Sequence, residues 1–529
     1  MIPLFKVFMS DDVIKPINDV LMSGQLTQGK QVEKFEEELK NYIGNPYILT
    51  LNSATAGLTL ALRLLKKEGA LPDWPGFNET EDIVLTPALT CFATTAAILS
   101  NSAKIKWLDV DLETCNISLE DVKKKLNKKT KVIYLVHWGG NPVDLDELDK
   151  ICEQHKETYG FKPVVVEDCA HSFGAEYNDK KIGNSKNICV FSLQAIKHLT
   201  TGDGGIITLP TEELYERCKL LRWYGIDREK RNYKGTDFRL ENDILEYGYK
   251  FHMNDINATL GLYNLPHMDE LLEKNRRNAK MLSEGLKNID GIQLLTNNSK
   301  CNSAYWLYSI RVMNGKKQEF MEKMKEANIM TSQVHNRNDI NSCVKEFEET
   351  LPNLDMLEKE LVCIPVGWWL TKENIIYIID NINRYFSNDL HIDNSPIVGY
   401  TCGVYDLFHV GHVEILKNAK GMCDVLIVGL TTDEQVKYKN TECVIAYEDR
   451  KKILESCKYV DIVIPQDDHD KVKAYDKLKY NILFVGDDWY LSEKWQKYEE
   501  DLKKYHAKVV YFPYTKKVST SKIKKSLNN

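Results

Sequence analysis

Short apolar runs rich in β-branched residues recur along the chain, and charged amphipathic segments separate them. Four of these runs are KVIYLV (131–136), VVVE (164–167), DVLIVGL (424–430) and NILFVG (481–486). Runs of this length and composition are typical of buried strands, and their alternation with helical segments is typical of parallel sheets covered by helices. The sequence therefore predicts a parallel α/β fold in both halves of the chain.

A polar stretch divides the chain into two parts. The segment NRYFSNDLHIDNSPIVGY (383–400) is rich in Asn, Asp and Ser up to Pro396, which is typical of a linker. A chain of 529 residues is expected to form two or more domains. We predict a first domain over residues 1–388 with a smaller α+β part from about residue 265, a linker over 389–396 and a small, doubly wound second domain over 397–529.

Charge and cysteine usage limit the possible partners and location. The formal net charge of −7 argues against nucleic acid as the main partner. The thirteen cysteines form no CxxC pair, which indicates reduced thiols and a cytoplasmic protein. The N-terminal residues lack the layout of a signal peptide, and the apolar runs are too short to span a bilayer. We therefore expect a cytoplasmic protein without a nucleic-acid or membrane partner.

A lysine follows an apolar run in the segment FSLQAIKHLTTGDGG (191–205). An amine at the end of a buried strand is costly to dehydrate unless it is used, for example in a Schiff base with an aldehyde cofactor. Lysine is abundant in this chain, so Lys197 alone is weak support for such a site. The upstream sequence strengthens the case.

VVVEDCAHSFGAEY (164–177) predicts a buried strand that ends at Asp168, with His171 three residues later. A carboxylate against the pyridine nitrogen keeps the ring of pyridoxal phosphate protonated, and a histidine can lie against that ring. Taken singly, Asp168 could cap a helix and His171 could be a core residue. Together with Lys197 they predict a pyridoxal phosphate site.

Residues 1 to about 390 resemble the DegT/DnrJ/EryC1/StrS aminotransferases, which have the aspartate-aminotransferase fold (fold type I). The resemblance implies pyridoxal 5'-phosphate as cofactor, glutamate as the usual amino donor, and cofactor sites built from two subunits, hence a homodimer. The matching segments follow the family's order and are SGQLTQGKQVEKFEEEL (23–39), LNSATAGLTLAL (51–62), TPALTCFAT (86–94), VHWGGNPVDLDEL (136–148), EDCAHSFGA (167–175), the Lys197 segment and GYKFHMNDINATLGL (248–262).

The resemblance implies a role for each matching residue. Lys197 would form the Schiff base, Asp168 would bind the pyridine nitrogen, and His171 stands where the family has Gln or His beside the ring. Ser192 would bind the cofactor phosphate. These four residues are the main candidates for the first site.

The resemblance implies further cofactor contacts in three other segments. Ala54 and Thr55 open a predicted helix whose amides suit a phosphate, although Thr55 could equally be a simple helix cap. Cys91 stands where the family often has an aromatic residue that stacks on the cofactor, and Phe92 would point to the opposite face of an extended strand. Lys250 replaces a frequent Asn that reaches the cofactor phosphate of a neighbouring subunit, and it can bind phosphate as a point charge.

The second half opens with IVGYTCGVYDLFHVGHVEILKNAK (397–420), which predicts a strand, a turn at Gly403 and a helix. His409 and His412 would lie at the N-terminus of that helix. Two imidazoles at such a position can hold a triphosphate and stabilise charge on the transferred phosphorus. An isolated HxGH motif could also be incidental, or a metal-binding pair.

The region 397–529 resembles the glycerol-3-phosphate cytidylyltransferases, and GVYDLFHVGH is also similar to choline- and ethanolamine-phosphate cytidylyltransferases. The resemblance implies CTP as donor, Mg²⁺ as counter-charge and a small alcohol phosphate as acceptor. The further matching pieces are DVLIVGLTTDE (424–434), Lys439, EDRKKILESCKYVDIVI (448–464), FVGDDW (484–489) and STSKIK (519–524).

In this resemblance His409 and His412 bind the phosphates and stabilise the transition state, and no residue is assigned as a metal ligand. Tyr514 and Thr515 stand where the family commonly has Arg-Thr, which leaves the phosphate substrate open. Trp489 could instead be a core aromatic and Arg450 a surface ion pair. The other implied contacts are Lys439 and Arg450 with substrate phosphates, Gly403, Asp406, Asp487 and Trp489 in the nucleotide pocket, and Ser519 and Thr520 at the triphosphate.

The presence of both halves in one chain suggests consecutive reactions, because tethering raises the concentration of one product at the next site. The simplest expectation is amination of dihydroxyacetone phosphate to serinol phosphate, followed by cytidylyl transfer to give CDP-serinol. Alternatively, the first half aminates a nucleotide-linked 4-keto-6-deoxy sugar, and the second separately makes a CDP-glycerol-type product. A nucleotide-sensing second domain is a third possibility, but a sensor has no need of the two histidines.

Overall fold

The chain of this computed structural model separates into two units, Met1–Leu390 and His391–Asn529. The structure describes residues 1–228, 243–387, 396–436, 443–486, 492–505 and 507–512. Each unit is built around its own sheet.

In the described part of the first unit, the buried apolar runs form a seven-stranded sheet. Six strands run parallel, and one, β9, runs antiparallel to both of its neighbours. In spatial order the strands are β1 (Ile48–Leu51), β9 (Gly205–Thr208), β8 (Ile188–Ser192), β5 (Val164–Asp168), β4 (Thr130–Val136), β2 (Ile83–Pro87) and β3 (Lys104–Leu108).

The predicted parallel α/β fold of this unit is confirmed, with the one exception that β9 runs antiparallel to its neighbours. Parallel neighbours need a crossover connection, usually through a helix. Residues 193–204, all of which the structure describes, contain no α-helix and return the chain antiparallel to β8. This helix-free connection is the segment that carries Lys197.

Both faces of the sheet are buried, as the alternation along β4 shows. Val132 and Tyr134 pack in one apolar cluster, whereas Ile133 and Leu135 pack in another. Successive strand residues point to opposite faces, so the two clusters lie on opposite sides of the sheet. The helices between these strands are α3 (Ala54–Leu65), α4 (Phe92–Leu99), α5 (Leu119–Lys125) and α6 (Leu145–Tyr159), and α7 (Glu212–Leu221) follows β9.

The remaining elements of the first unit precede or follow this sheet in the chain, except that β6 and β7 lie between β5 and β8. An antiparallel sheet of β10, β12 and β13 shares a separate apolar cluster with α9, α10 and α12. The strands are β6 (Glu176–Tyr177), β7 (Lys180–Lys181), β10 (Ile292–Leu294), β11 (Cys301–Asn302), β12 (Tyr308–Val312) and β13 (Leu361–Ile364). The helices are α1 (Ile14–Ser23), α2 (Lys30–Ile43), α8 (Asp255–Asn264), α9 (Met268–Leu286), α10 (Lys317–Glu326), α11 (Pro352–Leu357) and α12 (Lys372–Phe386).

Within the described residues of the second unit, five strands form a parallel sheet. In spatial order they are β16 (Ile462–Gln466), β15 (Val425–Thr431), β14 (Val398–Gly403), β17 (Ile482–Gly486) and β18 (Lys508–Phe512). The order reverses at β14, which confirms the predicted doubly wound fold and places a ligand crevice beyond the carboxyl ends of the central strands. The helices are α13 (Val410–Lys420), α14 (Asp433–Val436), α15 (Tyr447–Glu455), α16 (Lys471–Leu478) and α17 (Glu493–Lys503).

All thirteen cysteines lie in the described ranges, and each is a free thiol. Among the described residues, no helix is both long enough and apolar enough to cross a membrane. The free thiols agree with the reduced state expected from the unpatterned cysteine spacing.

Candidate active sites

Asp168 lies at the carboxyl end of β5, where it pairs with Val190 of β8, and is 3% exposed. Its Oδ2 accepts a hydrogen bond of 2.7 Å from Thr94 Oγ1, and its Oδ1 accepts one of 3.1 Å from the backbone N–H of Ala170. Burial raises the pKa of Asp168 above its ordinary value, against the effect of the Thr94 hydrogen bond. None of the ion pairs between described residues includes this carboxylate, so a protonated ring nitrogen would supply the missing positive charge.

Lys197 lies in the connection that follows β8, with its amine 3.3 Å from the centre of the Trp306 ring. Burial lowers the pKa of Lys197 to about 7, against the opposing effects of Asp168 and Cys91. Near neutral pH much of the amine is therefore unprotonated, as a nucleophile that attacks an aldehyde must be. Trp306 is held in place by a hydrogen bond of 2.9 Å from its Nε1 to the Ile196 carbonyl.

The ring of His171 is buried in an aromatic cluster beside this lysine. It stacks on Trp306 at a centroid distance of 4.1 Å, and it meets the edge of Trp138 at 5.8 Å. The backbone N–H of Gly139 lies 3.4 Å from His171 Nδ1. Burial, followed by the nearby charge of Lys197, lowers the pKa of His171 well below its ordinary value. The imidazole is therefore neutral, with Nδ1 as acceptor and the hydrogen on Nε2.

The loop at Gly139 and Gly140, which packs against His171, requires glycine. Gly139 and Gly140 have φ values of 63° and 96°, and a Cβ at Gly140 would lie 2.8 Å from the His171 carbonyl oxygen. A side chain at this position would push the two segments apart. The glycines in VHWGGNPVDLDEL (136–148) thus allow the close approach that brings Gly139 against the imidazole.

The candidate phosphate contacts are brought together at the N-terminus of α3. Ser192 at the end of β8 pairs with Gly205 of β9. A Cβ on Gly205 would lie 2.5 Å from the Ser53 carbonyl, so the strand packs directly against the start of the helix. Ser53 caps α3 by accepting a hydrogen bond of 3.1 Å from the Ala56 N–H. Thr55 therefore lies inside the first turn, and the alternative that Thr55 is the cap is wrong.

The segment around Cys91 differs from expectation. Cys91 directly precedes α4, which begins at Phe92, so the prediction of an extended strand at Phe92 is wrong. Helix formation here places Thr94 one turn after Thr90, with their hydroxyl oxygens 2.9 Å apart, and lets Thr94 reach Asp168. Cys91 is exposed and close enough to Lys197 to affect its pKa.

Lys250 is exposed on the first unit, and its backbone contacts Asn52, the residue before the Ser53 cap of α3. Its carbonyl oxygen accepts a hydrogen bond of 3.2 Å from Asn52 Nδ2, and its backbone pairs with Trp223 in an isolated bridge. Its contact with the cofactor phosphate of a neighbouring subunit stays a prediction.

Sequence reasoning missed three residues of this site. Thr94 lies within TPALTCFAT (86–94), and its helical spacing from Thr90 was a usable signal. Trp306 and His335 come from segments more than a hundred residues beyond Lys197, and no local pattern distinguishes either of them from a core or loop residue. Only the fold brings them to His171.

The second site begins where β14 ends at Gly403. Two non-glycine residues in the following loop, Tyr405 and Leu407, have positive φ values of 51° and 47°. Such conformations are uncommon outside glycine and cluster at functional sites. Asp406, 3% exposed, holds the loop by accepting hydrogen bonds of 3.1 Å from the backbone N–H groups of Val444 and Ile445. Its carboxylate therefore supports this loop, and its contact with a nucleotide stays a prediction.

His409 and His412 form a pair at the N-terminus of α13. His409 Nδ1 accepts a hydrogen bond of 3.1 Å from the backbone N–H of Gly411. His412 Nδ1 accepts one of 3.4 Å from the backbone N–H of His409. Their rings stack with centroids 3.9 Å apart. Burial lowers the pKa of both, that of His412 to about 4. In these neutral rings each Nε2 carries hydrogen, so two N–H donors lie at the positive end of the helix.

Arg450 differs from its expected role. The side chain is fully buried, and it donates hydrogen bonds of 3.0 Å to the Ile445 carbonyl, 2.6 Å to the Val404 carbonyl and 3.0 Å to the Thr431 carbonyl. It also pairs with Asp433 at 2.5 Å. These bonds use four of the five guanidinium N–H groups. The side chain therefore joins loops within the fold and has no pair of N–H groups left to bind a phosphate.

Five candidate residues lie outside the described residues: Lys439, Asp487, Trp489, Ser519 and Thr520. Tyr514 and Thr515, which marked the departure near the C-terminus, also lie outside them. Their roles remain predictions.

Comparison with known proteins finds a family model for each half of the chain. The model of the DegT/DnrJ/EryC1/StrS aminotransferase family matches residues 8–383, and the cytidylyltransferase-like model matches residues 400–526. The UDP-4-amino-4-deoxy-L-arabinose–oxoglutarate aminotransferase of Shewanella sediminis is 29% identical over 378 residues, which cover 69% of this chain and 93% of that protein.

Two solved structures are similar to the first unit. The sugar aminotransferase CalS13 from Micromonospora echinospora is 40% identical with a TM-score of 0.68, over 72% of this chain and 99% of that one. AtS13 from Actinomadura melliaura is 42% identical with a TM-score of 0.67, over 72% of this chain and 98% of that one. The chain is thus a bifunctional transferase that belongs to the DegT/DnrJ/EryC1/StrS aminotransferase family and carries a cytidylyltransferase-like domain at residues 400–526.

Proposed function

We propose that the first unit transfers an amino group from glutamate to dihydroxyacetone phosphate, and that the second unit joins the resulting serinol phosphate to CMP from CTP. The products are CDP-serinol and pyrophosphate. The observation that carries this proposal is the presence in one chain of a lysine–carboxylate site and a histidine-pair site. Each site lies at the carboxyl ends of its own sheet.

The residues of the first site fit pyridoxal phosphate. When bound, that cofactor supplies an electron sink for the amino-transfer chemistry. Asp168 would balance a protonated ring nitrogen, and Ser192 with the α3 N-terminus would bind the phosphate. Lys197, with its pKa lowered to about 7, can form the bond to the cofactor aldehyde and can carry a proton during the reaction. Trp306 covers the amine and excludes water from one side of it.

The residues of the second site fit cytidylyl transfer. A phosphate oxygen of the acceptor would form a bond to the α-phosphorus of CTP, while the bond from that phosphorus to the oxygen bridging the β-phosphate breaks and pyrophosphate leaves. The Nε2–H groups of His409 and His412 would donate to the oxygens on which charge increases. The N-terminus of α13 adds positive potential, and we propose Mg²⁺ as the counter-charge of the triphosphate.

The choice of acceptor follows from joining the two chemistries. Serinol phosphate is glycerol phosphate with its middle hydroxyl group replaced by an amine. It therefore presents the same primary phosphate to a domain that resembles glycerol-3-phosphate cytidylyltransferases. The keto compound that gives this amine on transamination is dihydroxyacetone phosphate.

The main alternative is that the first unit aminates a nucleotide-linked 4-keto-6-deoxy sugar. The names of the relative from Shewanella sediminis and of CalS13 favour a sugar substrate. The second unit would then make a CDP-glycerol-type product on its own. In both cases we propose a cytoplasmic homodimer in which Lys250 contacts the cofactor phosphate of the neighbouring subunit.

The first half-reaction with the ketone separates these alternatives. Enzyme carrying the aminated cofactor is mixed in a stopped-flow instrument with dihydroxyacetone phosphate or with a nucleotide-linked 4-keto-6-deoxyhexose. Return of the aldehyde-form absorbance is then followed. We expect the first compound to react at least about tenfold faster at equal concentration, a discrimination that a single pocket contact can provide. A faster reaction with the sugar nucleotide would support the alternative.

A further inference from the structure

His335 belongs to a loop that docks on the segment between β2 and α4. The backbone N–H of Asn338 donates a hydrogen bond of 2.8 Å to the Ala88 carbonyl, and Asn338 Nδ2 donates one of 2.9 Å to Thr95 Oγ1. Arg337 pairs with Leu89 in an isolated bridge. The loop is thereby fixed to the segment that also carries the Asp168 contact.

The backbone just before His335 is strained. Val334 has a φ of 71°, which is rare for a β-branched residue, and the His335 N–H donates a hydrogen bond of 2.9 Å to the Gln333 carbonyl across it. This three-residue turn is an unfavourable one that persists only where its surroundings hold it. Here Gln333 Nε2 donates to Glu358 Oε2 at 2.7 Å, and Arg337 Nε donates to Asp339 Oδ1 at 2.8 Å.

The strained turn presents the imidazole of His335 to that of His171. The two Nε2 atoms lie 3.4 Å apart, whereas the ring centroids are 5.4 Å apart with an angle of 3° between the planes. The nitrogen edges of the rings therefore face each other. Only one of the two facing nitrogens can carry hydrogen in a favourable contact, because two N–H groups would repel each other.

The Gly139 N–H determines which of the two facing nitrogens carries the hydrogen, because it donates to His171 Nδ1. His171 must then carry its hydrogen on Nε2 and donate it to His335 Nε2. Burial, followed by the charge of Lys197, lowers the pKa of His335 to about 4, so this ring is also neutral. The hydrogen bonds thus run from the Gly139 backbone N–H to His171 Nδ1, and from His171 Nε2–H to His335 Nε2.

We propose that His335 is a positioning residue that accepts a hydrogen bond from His171 and so, together with the Gly139 N–H at the other ring nitrogen, fixes the tautomer and orientation of His171 against the cofactor ring. This inference rests on the proposed cofactor site. A partner behind a functional histidine commonly sets which nitrogen is protonated and which way the ring faces. The strain at Val334 supports this role, because it places His335 where the contact can form.

The test compares two variants. His335→Phe keeps a planar ring of similar size but cannot accept a hydrogen bond from His171. His335→Gln has a side-chain oxygen that can accept it. Asn336→Ala, an exposed neighbour in the same loop, is the control. Apoenzyme of each variant is titrated with pyridoxal phosphate, and binding is followed by cofactor absorbance. We expect the Kd to rise about tenfold for His335→Phe, a cost typical of losing such a supporting hydrogen bond. The Kd should stay near wild type for His335→Gln and Asn336→Ala.

A second measurement reads the tautomer directly in protein labelled with ¹⁵N-histidine, with His171→Gln used to assign the resonances. The wild type and His335→Gln should show His171 protonated on Nε2, and His335→Phe should show a mixture of tautomers. Wild-type affinity and tautomer in His335→Phe would overturn the inference, as would equal weakening in both His335 variants, which would indicate packing alone. Failure of the wild type to bind pyridoxal phosphate would instead contradict the cofactor site on which the inference rests.

Discussion

Replacing Lys197 with alanine is expected to abolish amino transfer and to leave pyrophosphate release from CTP intact. Without the amine the chain can neither form the covalent bond to the cofactor aldehyde nor carry the proton, and such losses commonly reduce the rate by about 10⁴-fold or more. Borohydride reduction followed by mass spectrometry should find the cofactor on a peptide containing Lys197 in the wild type and none in the variant. Lys180→Ala, an exposed lysine on β7, is the matched control.

The variant should lose activity without losing its fold. The folded-state pKa of Lys197 is about 7 and its ordinary value is 10.5, because burial disfavours the charged amine. Between these pH values the unfolded chain binds a proton that the folded chain does not, so the lysine costs stability that returns as pH rises towards 10.5. Alanine removes this cost. Residual amino transfer by a folded variant would contradict the role of Lys197.

Replacing His412 with alanine is expected to reduce Mg²⁺-dependent pyrophosphate release from CTP by roughly 10²–10³-fold, the usual effect of removing one donor to a charged transition state. The substitution removes the Nε2–H of His412, the acceptor of the His409 backbone N–H and the ring on which the His409 imidazole stacks, so it also disturbs the position of His409. Amino transfer should stay near the wild-type rate, because its residues lie in the other unit. Lys417→Ala, on the exposed side of the same helix, is the control.

The nucleotide dependence of the same assay tests the cytidylyl assignment. Wild-type protein should release pyrophosphate with CTP much faster than with ATP in the presence of the acceptor. Equal rates with the two nucleotides would favour an adenylyltransferase. Undiminished release by His412→Ala would contradict the role of the histidine pair.

The sheets could be predicted because burial between helices leaves a clear apolar pattern in the sequence. The direction of β9 could not be predicted, because it depends on the connection from β8, and the short apolar run GIIT carries no signal that separates a parallel from an antiparallel strand. The helix at Phe92 was missed for a related reason. Its residues FATTAAIL are short and almost uniformly apolar, so they carry no periodicity that separates a helix from a strand.

The candidate sites were predictable where the chemistry lies in one contiguous motif. Lys197, Asp168 and the histidine pair each follow a buried strand, and the ends of neighbouring parallel strands meet at one edge. Arg450 shows the limit of this reasoning, because a motif arginine can serve the loops of the fold as well as a ligand. Trp306 and His335 show another limit, because only tertiary packing brings them to His171.

The central claim is that the two sites act in sequence on one small molecule. Its most direct test incubates the protein with ¹⁵N-glutamate, dihydroxyacetone phosphate, CTP, Mg²⁺ and pyridoxal phosphate, and analyses the mixture by mass spectrometry. A parallel mixture contains a nucleotide-linked 4-keto-6-deoxyhexose in place of dihydroxyacetone phosphate. We predict CDP-serinol that carries the ¹⁵N label, formed together with pyrophosphate, and its loss in both Lys197→Ala and His412→Ala. Labelled amino sugar nucleotide in the parallel mixture, with no labelled serinol phosphate or CDP-serinol in the first, would contradict the claim.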